Sequence, residues 1–293
     1  KEGHNWSLRV PFEFKYDLSD AEIFDQRVCA IDLGVNTDVT CCVMLSDGTI
    51  VARKTFNHAA DKAEMYHQFN KIRKAQSQGA TKVQRKWNRV NDINEELTRK
   101  IVRDIIDFAV MYSCTDIVCE FLDTKGKIKG SKKYRLKLWR KRDIYHHLVG
   151  QAHLWGMHVH QVCAWKTSQL AFDGSGFVQR GRYIVDDKGV SLGYSYSWVR
   201  FTTGKLYNAD LNATYNIGAR YFIREILKAL GVTSGSVADD AEAGAADASN
   251  HRVRRANVLD LPGGSSRTLS DLINLNSALK DRQVLEALTG LTV

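Results

Sequence analysis

Three carboxylates stand inside or at the ends of stretches that otherwise read as buried structure. Asp32 closes the apolar run Val28-Cys29-Ala30-Ile31. Glu120 closes Ile117-Val118-Cys119, and Asp210 opens the aromatic-rich stretch Asp210-Leu211-Asn212-Ala213-Thr214-Tyr215-Asn216-Ile217. A charge in such surroundings loses its hydration and must be compensated. A single carboxylate can be balanced by a neighbouring lysine. Three of them, in a chain with 42 Lys and Arg against 33 Asp and Glu, point to a shared divalent cation instead. An all-oxygen donor set selects Mg or Mn. The three acids lie about ninety residues apart, so only a fold that brings three separate elements to one edge can unite them.

The hydrophobic pattern supplies such elements. Residues 27–33, 39–45 and 49–56 read as three consecutive strands, with Ser46-Asp47-Gly48-Thr49 as the turn between the second and third. From Asp61 to Tyr112 the period becomes helical, with a buried stripe at Ile93, Leu97, Ile101, Ile105 and Phe108. Gln78-Gly79-Ala80-Thr81 divides this stretch into a helical hairpin whose other faces are basic. A strand at Asp116–Phe121, a helix at Arg142–Trp155, a strand at His158–Val162 and a helix from Asp210 follow. Residues 8–16 alternate enough to predict one more strand, the tail of an upstream domain. This order predicts an α/β fold with a mixed central sheet of RNase H-like type. Its divisions are a remnant of an upstream domain (1–24), a core with the helical hairpin at about 60–112 (25–165), a polar, loop-rich insertion with one hairpin (166–205), a closing helix (206–230), and a flexible linker with a C-terminal helix (231–293).

The formal net charge of +9 favours a polyanionic partner, nucleic acid ahead of anionic membrane. No run of about 18 apolar residues is present, which excludes a spanning helix. Residues 125–142 hold ten Lys or Arg and no acid, with Tyr134 and Trp139 interleaved. Such a run is ordinarily a solvated face; directly after Glu120 it predicts phosphate contacts by Lys132, Lys133, Arg140, Lys141 and Arg142. Lys82, Arg85, Lys86 and Arg89 on the helical hairpin are the second basic set. None of the six cysteines forms a Cys-x-x-Cys pair. They read as reduced, buried small hydrophobes of a cytoplasmic protein. His158-x-His160 has strand spacing that puts both rings on one face, but it lacks the cysteine partners of a zinc site.

The runs around Asp32, Glu120 and Asp210 resemble the three split RuvC motifs of TnpB-type transposon proteins and type V CRISPR effectors, over roughly residues 25–230. The third motif, Asp210-Leu211-Asn212-Ala213 through Asn216-Ile217, is the most specific of them. The resemblance implies an RNA-guided, metal-dependent DNA endonuclease of RuvC type, the C-terminal portion of a longer protein. Its partners are a guide RNA and target DNA, and its cofactor is Mg or Mn, two ions. Asp32, Glu120 and Asp210 are the implied ligands, with Asn212 beside the metals.

Most relatives carry two Cys-x-x-Cys knuckles between Thr167-Ser168 and the third motif. Residues 170–205 contain no cysteine, so no zinc is expected. The insertion at 166–205 is expected to keep a ribbon-like shape without zinc, held by Phe172, Tyr183, Trp198 and Phe201, leaving Arg180, Arg182, Arg200 and Lys205 for nucleic acid. Three alternatives stay open: a nuclease-inactive RNA-guided DNA-binding protein, a stand-alone RNase H-like resolvase, and an actin-like or sugar-kinase ATPase. Asp32-Leu33-Gly34 resembles the phosphate turn of the last group, but the later glycine loops of that superfamily are missing.

Overall fold

The computed structural model describes residues 10–11, 13–121, 140–164, 166–229 and 269–273. Five strands form one mixed sheet in the order β3-β2-β1-β4-β5. They are β1 (Arg27–Leu33), β2 (Val39–Leu45), β3 (Ile50–Phe56), β4 (Asp116–Phe121) and β5 (His158–Cys163). The first three make an antiparallel meander, and β4 and β5 run parallel to β1. This is the strand order of an RNase H-like sheet, as the sequence predicts.

Both faces of the sheet are covered, which is why β1, β2 and β4 read as continuous apolar runs. Cys29, Ile31, Cys41, Val43, Ile117 and Cys119 face α2 (Gln84–Met111) and α3 (Lys141–Leu154). Val28, Ala30, Cys42, Met44 and Val118 face α4 (Ala209–Ala229) together with Leu269 and Leu272. The predicted stripe of α2, Ile93 to Phe108, is buried throughout. Helix α1 (Ala59–Ser77) pairs with α2 as the expected hairpin. Among the described residues no helix is long and apolar enough to cross a membrane.

Residues 166–208 carry more structure than one hairpin. A three-stranded antiparallel sheet, β6 (Gln179–Arg180), β7 (Trp198–Arg200) and β8 (Leu206–Asn208), runs directly into α4. Its small core contains Ala171, Val199, Phe201 and Ala209, with Phe172 and Tyr207 against them.

Two expectations are corrected. The strand predicted at 8–16 does not form in its described part; the chain there is irregular. Alternation alone does not make a strand without an edge to pair with. Here residues 17–19 bind the corner between α3 and β5, where Ser19 N–H donates to Gly156 O at 2.8 Å. Tyr183 and Trp198 also fail to join the core of the small sheet, being 61% and 43% exposed. Of the cysteines, five are buried and Cys163 is exposed. The linker, most of the C-terminal helix and most of the basic run, Lys132 and Lys133 included, lie outside the described residues.

Candidate active site

Strand geometry carries the first two carboxylates to one side of the sheet. Side chains alternate along a strand, so Asp32 shares the face of Val28 and Ala30, and Glu120 shares that of Val118. Both face α4. The parallel register pairs Ile31 with Cys119, so Asp32 and Glu120 follow side by side on neighbouring strands, about 5 Å apart in backbone. Asp210 arrives on the first turn of α4. That turn is held by Asn208, whose Oδ1 accepts the N–H groups of Asp210 and Leu211, each at 3.0 Å. This is an N-cap, and an acid in this first turn also meets the positive end of the helix dipole.

The electrostatics report the convergence. Burial, then the charges of Glu120 and Asp210, push the Asp32 carboxyl up to about 7, while Lys141 and Arg180 pull it back. Charged groups on four elements, β4, α4, α3 and β6, therefore act on one carboxylate. Lys141, at the start of α3, is held below its usual range by burial, against the pull of Glu120 and Asp32. Arg220 is likewise lowered by burial and drawn up by Cys163 and Glu120.

A hard divalent cation fits this donor set chemically, since the surplus negative charge that raises Asp32 is what such a cation relieves. As the side chains stand, however, no three His, Cys, Asp or Glu among the described residues are grouped so that they could hold a metal ion. A groove of about 550 Å³ lies on the helical hairpin and includes none of the three carboxylates. Asp61, Glu64, Asp92, Glu95 and Glu96 line it with Arg89 and Arg99.

The polar ladder along α4 is the feature that sequence reasoning missed. Asn212, Asn216 and Arg220, spaced four apart and so on one helix face, all bind segment 163–172. Asn212 donates to Leu170 O at 2.8 Å and accepts the Phe172 N–H at 3.0 Å. Its amide is thus committed to backbone rather than turned to the carboxylates. Asn216 donates to Thr167 O and Leu170 O, both at 2.8 Å. Arg220 binds Cys163 O at 2.9 Å, and Arg224 binds Gln161 O at 2.9 Å. The last two contacts cover the outer edge of β5, an edge otherwise open to pairing. Polar residues at this four-residue spacing in an otherwise apolar helix are the signal that would have revealed the ladder.

Several predicted basic residues have definite surroundings. Lys82, Arg85, Lys86 and Arg89 are exposed on the N-terminal half of α2 and the turn before it. Arg99 and Lys100 are paired with Glu95 and Asp61. Arg140 lies 3.5 Å from Asp143, and Arg142 is exposed. Arg180 Nε donates to Tyr196 O at 3.3 Å, and Arg182 stacks over Tyr183. Arg200 is tied to Val185 O and lies 3.1 Å from Asp187, so it braces its own loop. Lys205 stands over the rings of Phe172 and Tyr207. Arg53 of the edge strand bonds the hydroxyls of Tyr207 and Tyr215 at 2.8 and 3.2 Å, joining β3 to β8 and α4.

No protein-family model matches the chain, and no curated protein matches it. Among solved structures it is similar to type V CRISPR effectors. A Cas12f1–sgRNA–target DNA complex is 15% identical with a TM-score of 0.49, covering 65% of this chain and 49% of that one. A CRISPR-Cas12f ternary complex is 16% identical with a TM-score of 0.47, over 72% and 41%. An AacC2c1–sgRNA–extended non-target DNA ternary complex is 13% identical with a TM-score of 0.44, over 55% and 22%. The chain spans half or less of the length of each. At these identities the likeness is one of fold.

Proposed function

We propose that this chain is the RuvC-type nuclease part of an RNA-guided DNA endonuclease, hydrolysing phosphodiesters with Mg or Mn held by Asp32, Glu120 and Asp210. The observation that carries the reading is the elevation of Asp32 to about 7 by burial together with Glu120 and Asp210. Such crowding of carboxylates destabilises a protein and finds its reason in a cation. Asp32, Glu120 and Asp210 would hold a divalent ion that, when bound, would supply an activated water and neutralise charge on the leaving oxygen.

The residues of the chain do the rest. Asp32 and Glu120 sit on adjacent strands, and Asp210 sits on a capped helix turn, so the backbone at each donor is held before substrate arrives. Lys141 and Arg180, whose fields reach Asp32, favour a phosphate approaching the carboxylates. Exposed Lys82, Arg85, Lys86 and Arg142 supply contacts without sequence preference. A guide RNA and target DNA are the proposed partners, and guide-directed specificity belongs to a longer protein.

The test is Mg- or Mn-dependent cleavage of labelled single-stranded DNA by the wild-type chain beside Asp210→Ala. Cleavage that needs the metal and disappears in the variant is the expected result. Binding without cleavage, unchanged by the substitution, would instead favour a nuclease-inactive guided binder.

A further inference from the structure

Thr167 is the residue through which segment 163–172 reaches the carboxylates. It is 2% exposed, and its hydroxyl lies against Glu120 Oε1. The Ala164 carbonyl is also near, at 3.2 Å. The hydroxyl has one proton to give, and an ionised carboxylate is the stronger acceptor.

Its mounting is unusual. Lys166, just before it, has φ +57°, a left-handed conformation unfavourable to residues with a Cβ. The Lys166 carbonyl accepts the N–H groups of Gln169 and Leu170 at 3.0 and 3.2 Å, closing the turn. Asn216, fully buried on α4, then grips the Thr167 carbonyl at 2.8 Å. Strained backbone persists only where its surroundings over-determine it. Here the strained turn delivers one hydroxyl to one carboxylate.

We propose that Thr167 is the positioning residue for Glu120, its hydroxyl fixing the carboxylate's orientation toward Asp32 and Asp210. The inference rests on the metal-centre reading given above. Residues that orient metal ligands contribute about 10- to 100-fold to metal affinity.

The experiment measures Mn²⁺ binding to the full 293-residue chain, without nucleic acid, from the decrease of the free-ion electron paramagnetic resonance signal. Wild type, Glu120→Gln, Thr167→Val and Thr167→Ser are compared, each checked by a thermal melt. Thr167→Ala is the second hydroxyl-free variant if Thr167→Val does not melt cooperatively. Glu120→Gln should weaken binding strongly. Thr167→Val should weaken it about tenfold, and Thr167→Ser should restore it. Normal binding by the hydroxyl-free variants, with Glu120→Gln weakened, overturns the role of Thr167 alone. Serine as weak as valine also overturns it, because packing rather than the hydroxyl would then be at work. Unchanged binding by Glu120→Gln sinks the metal-centre reading and this proposal together.

Discussion

Gly218 of α4 lies directly over Ala30 of β1. A Cβ on Gly218 would fall 3.2 Å from the Ala30 Cβ and 3.1 Å from Met44 Cε and Sδ. Two small residues therefore set how closely α4 rests on the sheet, and α4 carries Asp210. Gly218→Val should lift the helix, lowering stability by about 1–3 kcal/mol through overpacking and reducing metal-dependent cleavage with it. Urea unfolding and the cleavage assay read the two effects. A stable, active variant would show that this contact does not seat the helix.

The cap of the same helix gives a second expectation. Asn208 Oδ1 satisfies two N–H groups of the turn bearing Asp210. Asn208→Ala should cost about 1 kcal/mol of stability, whereas Asn208→Ser should be close to wild type. Equal destabilisation in both, measured by urea unfolding, would exclude capping as the cause.

Asp32 predicts a pH dependence. The folded chain retains this proton up to about 7, against an ordinary value of 3.8. Within that window the unfolded chain has released the proton and the folded chain still binds it. In metal-free protein the contribution of this group to stability therefore falls as pH rises through the window, and levels off above it. The bound is about 4 kcal/mol at 1.4 kcal/mol per pH unit. Asp32→Asn should match wild type near pH 4 and become the more stable of the two by pH 8. Coincident pH profiles would mean that burial and the charges of Glu120 and Asp210 do not raise Asp32.

The basic surface at the start of α2 predicts salt-dependent binding. Replacing Lys82, Arg85 and Lys86 together with Gln should weaken single-stranded DNA binding. The slope of log affinity against log salt should become shallower by roughly 0.7 for each phosphate that is no longer neutralised. An unchanged slope would return these residues to the role of a solvated face. Arg89 is best left in place, since it also lines the acidic groove.

Strands β1, β2 and β4 were legible because covering a sheet on both faces forces long apolar runs, and α2 because eleven of its residues are buried on a regular stripe. The family resemblance puts Asn212 beside the metals, but nothing in the sequence indicates that residues 170 and 172 lie against its amide. The aromatic residues of 172–201 divided in the same way. Phe172 and Phe201 meet at 5.4 Å, whereas Tyr183 and Trp198 remain exposed, and composition does not distinguish the two pairs. The hydrogen bonds from Arg53 to Tyr207 and Tyr215 span more than 150 positions, beyond any local pattern.

The sequence by itself determined the element types, the order that builds a mixed sheet, and the three carboxylates that stand against the hydrophobic pattern. These are consequences of local periodicity and of the unfavourable transfer of charge into apolar surroundings. Only the tertiary structure decided that the charges of Glu120 and Asp210 act on Asp32, that Thr167 rather than Asn212 touches Glu120, and that Asp32 is raised to about 7. Coulombic interaction and hydrogen bonding depend on distance in space, and residues about ninety positions apart acquire that distance only when the sheet register and the seat of α4 are set.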